Sequence, residues 1–184
     1  MIVAGMDWSM TCPAICIYDT KKKLTFNNCK FFYLTSSKKF EGNKGNVYGF
    51  MMPLYSSDQE RFNMIAEWAM VILNKFEVKD ACLEGYSMGS KGKVFNIAEN
   101  IGLLKHYMWK NDIKFITPAP TAVKKEFTGK GNANKEVMYE SLCKMNENVD
   151  LPGLLGCKVS DSPISDITDS FAMVHYFINC KDVR

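Results

Sequence analysis

Asp7, Glu84, Asp166 and Asp169 are the side chains of this sequence that could do chemistry together. Hydrolysis of a phosphodiester is served by two divalent cations about 4 Å apart, and clustered Asp and Glu oxygens are how proteins hold Mg²⁺. Taken singly, three of these acids have a plainer reading: Asp7 as a turn residue, Asp166 as a helix cap, Asp169 as a solvated charge. Their spacing says more. Asp166 and Asp169 are three apart, which puts both carboxylates on one face of a helix, where like charges repel unless a cation lies between them. Asp166 falls in the first turn, where the helix dipole favours an anion. Asp169 sits among Ile167, Phe171, Ala172 and Val174, surroundings in which a carboxylate needs a partner. Arg61 and Arg184 are the only arginines of the chain, so a metal is the economical counter-ion.

The elements that would position these acids follow from hydrophobic patterning. Apolar runs at residues 2–7, 14–18 and 29–34 predict an antiparallel meander, and Asp7 ends its first strand. Residues 35–56, with Gly42, Gly45, Gly49 and Pro53, predict a long loop. Phe62, Ile65, Ala66, Ala69, Ile72, Leu73 and Phe76 share one helical face, with Ser57 and Glu60 as a capping box at its start. Residues 80–84 then predict a buried strand ending on Glu84. Ligands in open α/β sheets collect beyond such strand ends. A helix over about 94–110, a strand over 113–116 stopped by Thr117-Pro118-Ala119-Pro120, and helices over about 120–126, 133–145 and 164–179 complete the chain. The order predicts one α/β domain over residues 1–184 of ribonuclease-H-like type. Its mixed five-stranded sheet would have three antiparallel strands, then two parallel ones, with helices on both faces.

Two segments could grip phosphate. Val123 to Lys135 carries Lys124, Lys125, Lys130 and Lys135 around Gly129 and Gly131, ahead of a helix whose N-terminal amides favour anions. It lacks the Walker pattern, so the phosphate expected there is polymer backbone. Lysine in place of arginine fits point-charge contacts that are indifferent to base sequence and sensitive to salt. Between Glu84 and the next helix, Tyr86, Lys91 and Lys93 lie among glycines, a loop that could stack a base and hold phosphate, with Tyr86 or Phe95 as the stacking ring.

Composition bounds the function. The chain has 184 residues, 47% hydrophobic and 23% charged, the balance of a globular protein. No apolar run reaches the length of a membrane helix. The N-terminus lacks a secretory pattern, so an intracellular, cytoplasmic location is expected. Seven cysteines without paired spacing predict reduced core thiols, and two histidines leave a zinc site without ligands. Net charge is +3 but uneven: residues 88–144 hold ten lysines against five acids, and residues 146–184 hold six acids against three bases. A basic middle and an acidic tail suit a protein that grips phosphate beside a metal site.

With these residues in view, the sequence resembles the RuvC family of Holliday-junction resolvases, in a phage- or virus-type form. The resemblance spans nearly the whole chain. It rests on Asp7 and Glu84 at strand ends, on Val123-Lys124 followed at the family's spacing by Gly129, Gly131, Ala133 and Lys135, and on Asp166 and Asp169 in the last helix. It implies that the four acids bind two Mg²⁺ or Mn²⁺, that Lys124 and Lys135 contact DNA and support cleavage, and that branched DNA is cut by a homodimer. The last helix reads Asp166-Ile167-Thr168-Asp169-Ser170-Phe171-Ala172 where the family favours alanines, and the loop after Glu84 is richer in glycine. These departures widen the expected substrates to three-way junctions and flaps. A ribonuclease H acting on RNA-DNA hybrids could use the same acids, and a non-catalytic nucleic-acid-binding module could share the fold.

Overall fold

In a computed structural model that describes residues 1–85 and 94–180, the chain folds around one mixed sheet. Its strands are β1 (Ile2–Asp7), β2 (Ala14–Asp19), β3 (Cys29–Thr35), β4 (Gly42–Lys44), β5 (Val47–Met51), β6 (Asp80–Leu83) and β7 (Lys114–Ile116). They lie in the order β4-β5-β3-β2-β1-β6-β7. β1 pairs antiparallel with β2 and parallel with β6, and β6 pairs parallel with β7. The helices are α1 (Asp58–Lys75), α2 (Val94–Lys110), α3 (Pro120–Thr128), α4 (Lys135–Met145), α5 (Leu151–Leu155) and α6 (Ile164–Asn179).

The mixed sheet with helices on both faces is as expected, but it has seven strands where five were expected. The difference lies in residues 35–56. β5 pairs parallel with β3, and β4 closes a hairpin on it. Gly49, which reads as a strand breaker, is there because a Cβ would lie 2.1 Å from the Phe40 carbonyl and 2.7 Å from the Tyr33 ring. Gly45, at φ 68°, supplies the left-handed turn of the hairpin. α5 was also unexpected. The capping box at α1 is displaced: Ser57 Oγ accepts from the Glu60 N–H, but the Glu60 carboxylate accepts from the backbone and hydroxyl of Ser56.

Two apolar layers sandwich the sheet. Ile65, Ala69 and Leu73 of α1 with Leu104 and Met108 of α2 cover one face, against Ala4, Met6, Ile15 and Leu83. Val123 and Phe127 of α3, Met138 and Leu142 of α4, Leu151 and Leu155 of α5 and most of α6 cover the other, against Val3, Cys16, Phe31 and Cys82. β1 has its last five residues buried, as a central strand covered on both faces must. α6 crosses directly over it. A Cβ on Gly5 would lie 2.3 Å from the Ser170 carbonyl and 2.7 Å from the Val174 nitrogen, so the missing side chain sets how closely helix and strand approach. No helix among the described residues is long and apolar enough to cross a membrane. All seven cysteines are free thiols, and Cys12, Cys16, Cys29 and Cys82 are buried.

Candidate active site

Strand alternation decides which face each acid serves. On β1, Val3 and Gly5 face the α6 layer, so Asp7, two residues further, faces it too. On β6, Cys82 faces the same layer, so Glu84 follows just past the strand end. Parallel pairing sets Met6 beside Leu83, and the Glu84 N–H donates to the Met6 carbonyl at 3.1 Å, which brings the two acids alongside each other. Gly85 fixes the exit of the chain. Its N–H donates to the Pro118 carbonyl at 3.0 Å, and a Cβ there would meet that oxygen at 2.6 Å. From above, α6 contributes Asp166 in its first turn and Asp169 one turn on, on the helix that rests on Gly5.

The four acids form one electrostatic group. Burial, then the charges of Glu84, Asp169 and Asp166, hold the Asp7 carboxyl well above its ordinary range, and the Glu84 carboxyl beside it shares a proton with it. Burial also raises Glu84, against the opposing effects of its hydrogen bond with Asp7 and of Lys124. Asp169, half-buried, is pushed up to about 7 by burial and by Glu84 and Asp166, with Lys124 and Lys135 pulling the other way. Asp166 is the more buried of the helix pair. It does not cap α6, whose N-cap is Pro163. Among the described residues no group of three or more His, Cys, Asp or Glu side chains is already arranged to hold a metal ion.

The lysine segment flanks this group. Val123 and Phe127 bury one side of α3, which turns Lys124 toward Glu84 and Asp169. Lys135 opens α4, and its Nζ donates to the Ser160 carbonyl at 3.0 Å and to Ser165 Oγ at 3.1 Å. Lys125 and Lys130 are exposed. The glycines have structural reasons of their own. Gly129, at φ 80°, ends α3 with its N–H on the Lys125 carbonyl, and a Cβ on Gly131 would come within 3.1 Å of the Thr121 carbonyl. Asn134 caps α4 by accepting from the Val137 N–H at 3.0 Å, so a side chain already occupies part of that helix start. Tyr86, Lys91 and Lys93 lie outside the described residues. Phe95 stands in the first turn of α2 and is 81% exposed, a ring free to stack.

Sequence reasoning missed the close neighbours of the acids. Cys12, read as a core thiol, is buried beside Asp166; burial, then that acid, pushes the thiol up. Ser160 and Ser165 anchor Lys135 from 25 and 30 residues away. Ser165 stands among Asp161, Ser162, Thr168, Asp169 and Ser170, so no local sequence signal singled it out.

No family model matches the chain, and no curated protein matches it in sequence. Solved structures do match in shape. Thermus thermophilus RuvC in complex with Holliday junction substrate superposes with a TM-score of 0.63 and 18% identity over 97% of this chain and 93% of that one. The fowlpox virus resolvase with its Holliday junction DNA gives 0.52 and 16% over the whole of both chains. The yeast mitochondrial Holliday junction resolvase gives 0.53 and 15% over 99% of this chain and 81% of that one. The chain therefore has the RuvC-like fold.

Proposed function

We propose that this chain is a metal-dependent, structure-specific endodeoxyribonuclease that cuts Holliday junctions and related branched DNA. The observation that carries this reading is the meeting of Asp7, Glu84, Asp166 and Asp169. They come from two adjacent parallel strands and the helix above them, and the charges of Glu84, Asp166 and Asp169 help to hold the Asp7 carboxyl above its ordinary range. The fold supports it, since its likeness to two resolvase structures solved with junction DNA runs the length of the chain.

The donor set fits Mg²⁺ or Mn²⁺: hard carboxylate oxygens, whose crowding a divalent cation relieves. Asp7, Glu84, Asp166 and Asp169 would hold two such ions, and the ions when bound would activate water and stabilise the departing 3′-oxygen, leaving 5′-phosphate ends. Around them, Lys124 offsets the charge of Glu84 and Asp169, and Lys135 that of Asp169. Both can then accept a phosphate without adding to the repulsion. Exposed Lys125 and Lys130 extend the basic track along the DNA, and Phe95 offers its ring to an unpaired base. Paired nicks across a junction call for a twofold dimer, and the outer face of α2, where Trp109 is 71% exposed, is the surface that would form it.

The test is direct. Wild type and Asp7→Asn are incubated with four-way, three-way, flap and linear duplex DNA and with an RNA-DNA hybrid, in Mg²⁺ and in Mn²⁺. Wild type should cut the branched substrates in preference to linear duplex and hybrid, and the variant should lose about a thousandfold or more. Full activity in Asp7→Asn would sink the metal-site assignment, and preference for the hybrid would make the chain a ribonuclease H.

A further inference from the structure

Ser165 is 4% exposed, on a turn of α6 whose neighbours Ile164 and Ile167 are fully buried. Packing alone does not call for a hydroxyl there, because a buried polar group is costly unless its hydrogen bonds are made. Ser165 makes them on both sides. Its Oγ accepts from Lys135 Nζ at 3.1 Å, and its own hydrogen is directed at Asp166 Oδ2 at 3.4 Å. The Ser165 N–H donates to the Asp161 carbonyl at 3.1 Å, which holds the backbone still while the hydroxyl bridges. Lys135 meanwhile has an exposed stem and a tethered head: two of its three ammonium hydrogens go to the Ser160 carbonyl and to Ser165. The third is left for an acceptor on the open side of the site.

We propose that Ser165 is a positioning residue: it fixes the Lys135 ammonium beside the carboxylate group, with its remaining N–H free for a non-bridging oxygen of the scissile phosphate, and links that cation to Asp166. This rests on the nuclease reading above. A free lysine would have to be ordered by the substrate at each turnover, with loss of rotamer entropy. Here the fold orders it before DNA arrives, so the effect falls on the chemical step more than on binding. Ser160 contributes through its carbonyl, which no side-chain substitution removes. Ser165 is thus the member of the pair that mutation can test.

The experiment has two arms. In metal-free, DNA-free protein, lysine acetylation is followed by mass spectrometry. Lys135 should label several-fold more slowly than Lys125 and Lys130. Ser165→Ala should raise its rate at least about threefold and leave those two unchanged, and Ser165→Thr should restore protection. In the second arm, on a four-way junction, Ser165→Ala should lower kcat about tenfold with KM and junction affinity within about twofold, and Ser165→Thr should recover most of the loss. A Lys135 that labels as fast as Lys125 in wild type overturns the proposal without any variant, which covers the case of a Ser165→Ala protein that does not fold. Unchanged Lys135 labelling in Ser165→Ala, or unchanged kcat, overturns it while leaving the nuclease reading intact. A wild type that protects Lys135 but cuts no substrate sinks the nuclease reading itself, and the catalytic role of Ser165 with it.

Discussion

The face of the sheet under α1 and α2 is lined by Ile65, Ala69, Leu73, Leu104 and Met108, whereas the face under α6 buries Ser165, Asp166, Thr168 and Ser170 among Phe171 and Val174. One strand serves both. β1 turns Met6 toward the first face and Asp7 toward the second, so a single residue of register separates a packing position from a chemical one. The difference shows what each face costs. On the α1 side burial is mostly apolar, although the Trp8 and Trp68 indole nitrogens and the Asn100 amide oxygen are buried there without a partner among the described residues. On the α6 side part of the gain from burial is set against carboxylates held away from water and near one another. Both faces contribute apolar burial, but the chemistry is confined to one of them, so substitutions should separate packing from chemistry.

The largest effect is expected from pairing two variants across the sheet. Asp7→Asn should abolish cleavage, by about three orders of magnitude or more, without lowering the melting temperature of the metal-free protein, because the buried carboxyl it replaces already favours its neutral form. Leu73→Ala, fully buried on the other face, should cost about 3 kcal/mol of stability, with kcat per folded molecule unchanged. Denaturant titration and junction cleavage on both variants check the contrast. Loss of stability in the first variant, or of kcat in the second, would merge the two roles.

Gly5→Ala comes next, because it acts on the contact that joins packing to chemistry. The added Cβ meets the α6 backbone at Ser170 and Val174, which cannot rotate away, so helix and strand must separate. Overpacking of this kind costs about 2 kcal/mol. The same displacement lifts Asp166 and Asp169 away from Asp7 and Glu84, so kcat should fall as well. A stability loss with kcat retained would mean that the carboxylates tolerate a shift of α6.

Much of this was legible from the residues. An apolar run that ends on an acid, as in β1 and at Glu84, carries both the strand and the acid's place at its carboxyl end, and the i, i+3 spacing carried the Asp166 and Asp169 face. What escaped was set by distant contacts. Gly49 reads as a breaker until Tyr33 and the Phe40 carbonyl occupy the place of its side chain. α5, five residues long and containing Pro152 and Gly153, is too short for helical periodicity to register. Gly129 and Gly131 invited a phosphate-binding reading, yet a left-handed helix end and a close backbone approach account for them. The tether from Lys135 to Ser165 spans 30 residues and leaves no local pattern.

A smaller effect separates the faces by pH. Burial, then the charges of Glu84 and Asp166, push the Asp169 carboxyl up to about 7 from its ordinary 3.8. Over that window the folded state keeps a proton that the unfolded state has released, so this group's contribution to stability is present at low pH and is lost as pH rises from about 4 to about 7. In metal-free protein the melting temperature of wild type should therefore fall across that range by several degrees relative to Asp169→Asn. Leu73→Ala should keep the wild-type slope, since its effect does not involve a proton. Parallel curves for wild type and Asp169→Asn would show that Asp169 is not held away from water.

The smallest expected effect lies at the edge of the sheet that the five-strand expectation omitted. Lys39 Nζ donates to the Gly156 carbonyl at 2.6 Å and Lys44 Nζ to the Leu154 carbonyl at 3.0 Å, at the C-terminal end of α5, where a helix favours cations. These two contacts tie the β4–β5 hairpin, and the turn that leads into it, to the segment that leads into α6. Both are exposed, so Lys39→Ala should cost only about 0.5 kcal/mol. Thermal melts and cleavage rates measured side by side decide whether the tie is only structural. If the hairpin merely closes the edge of the sheet, kcat stays at the wild-type value. If it holds α5 in place so that α6 keeps its position over β1, kcat falls further than so small a loss of stability explains, and the edge of the sheet joins the α6 face as part of the catalytic support.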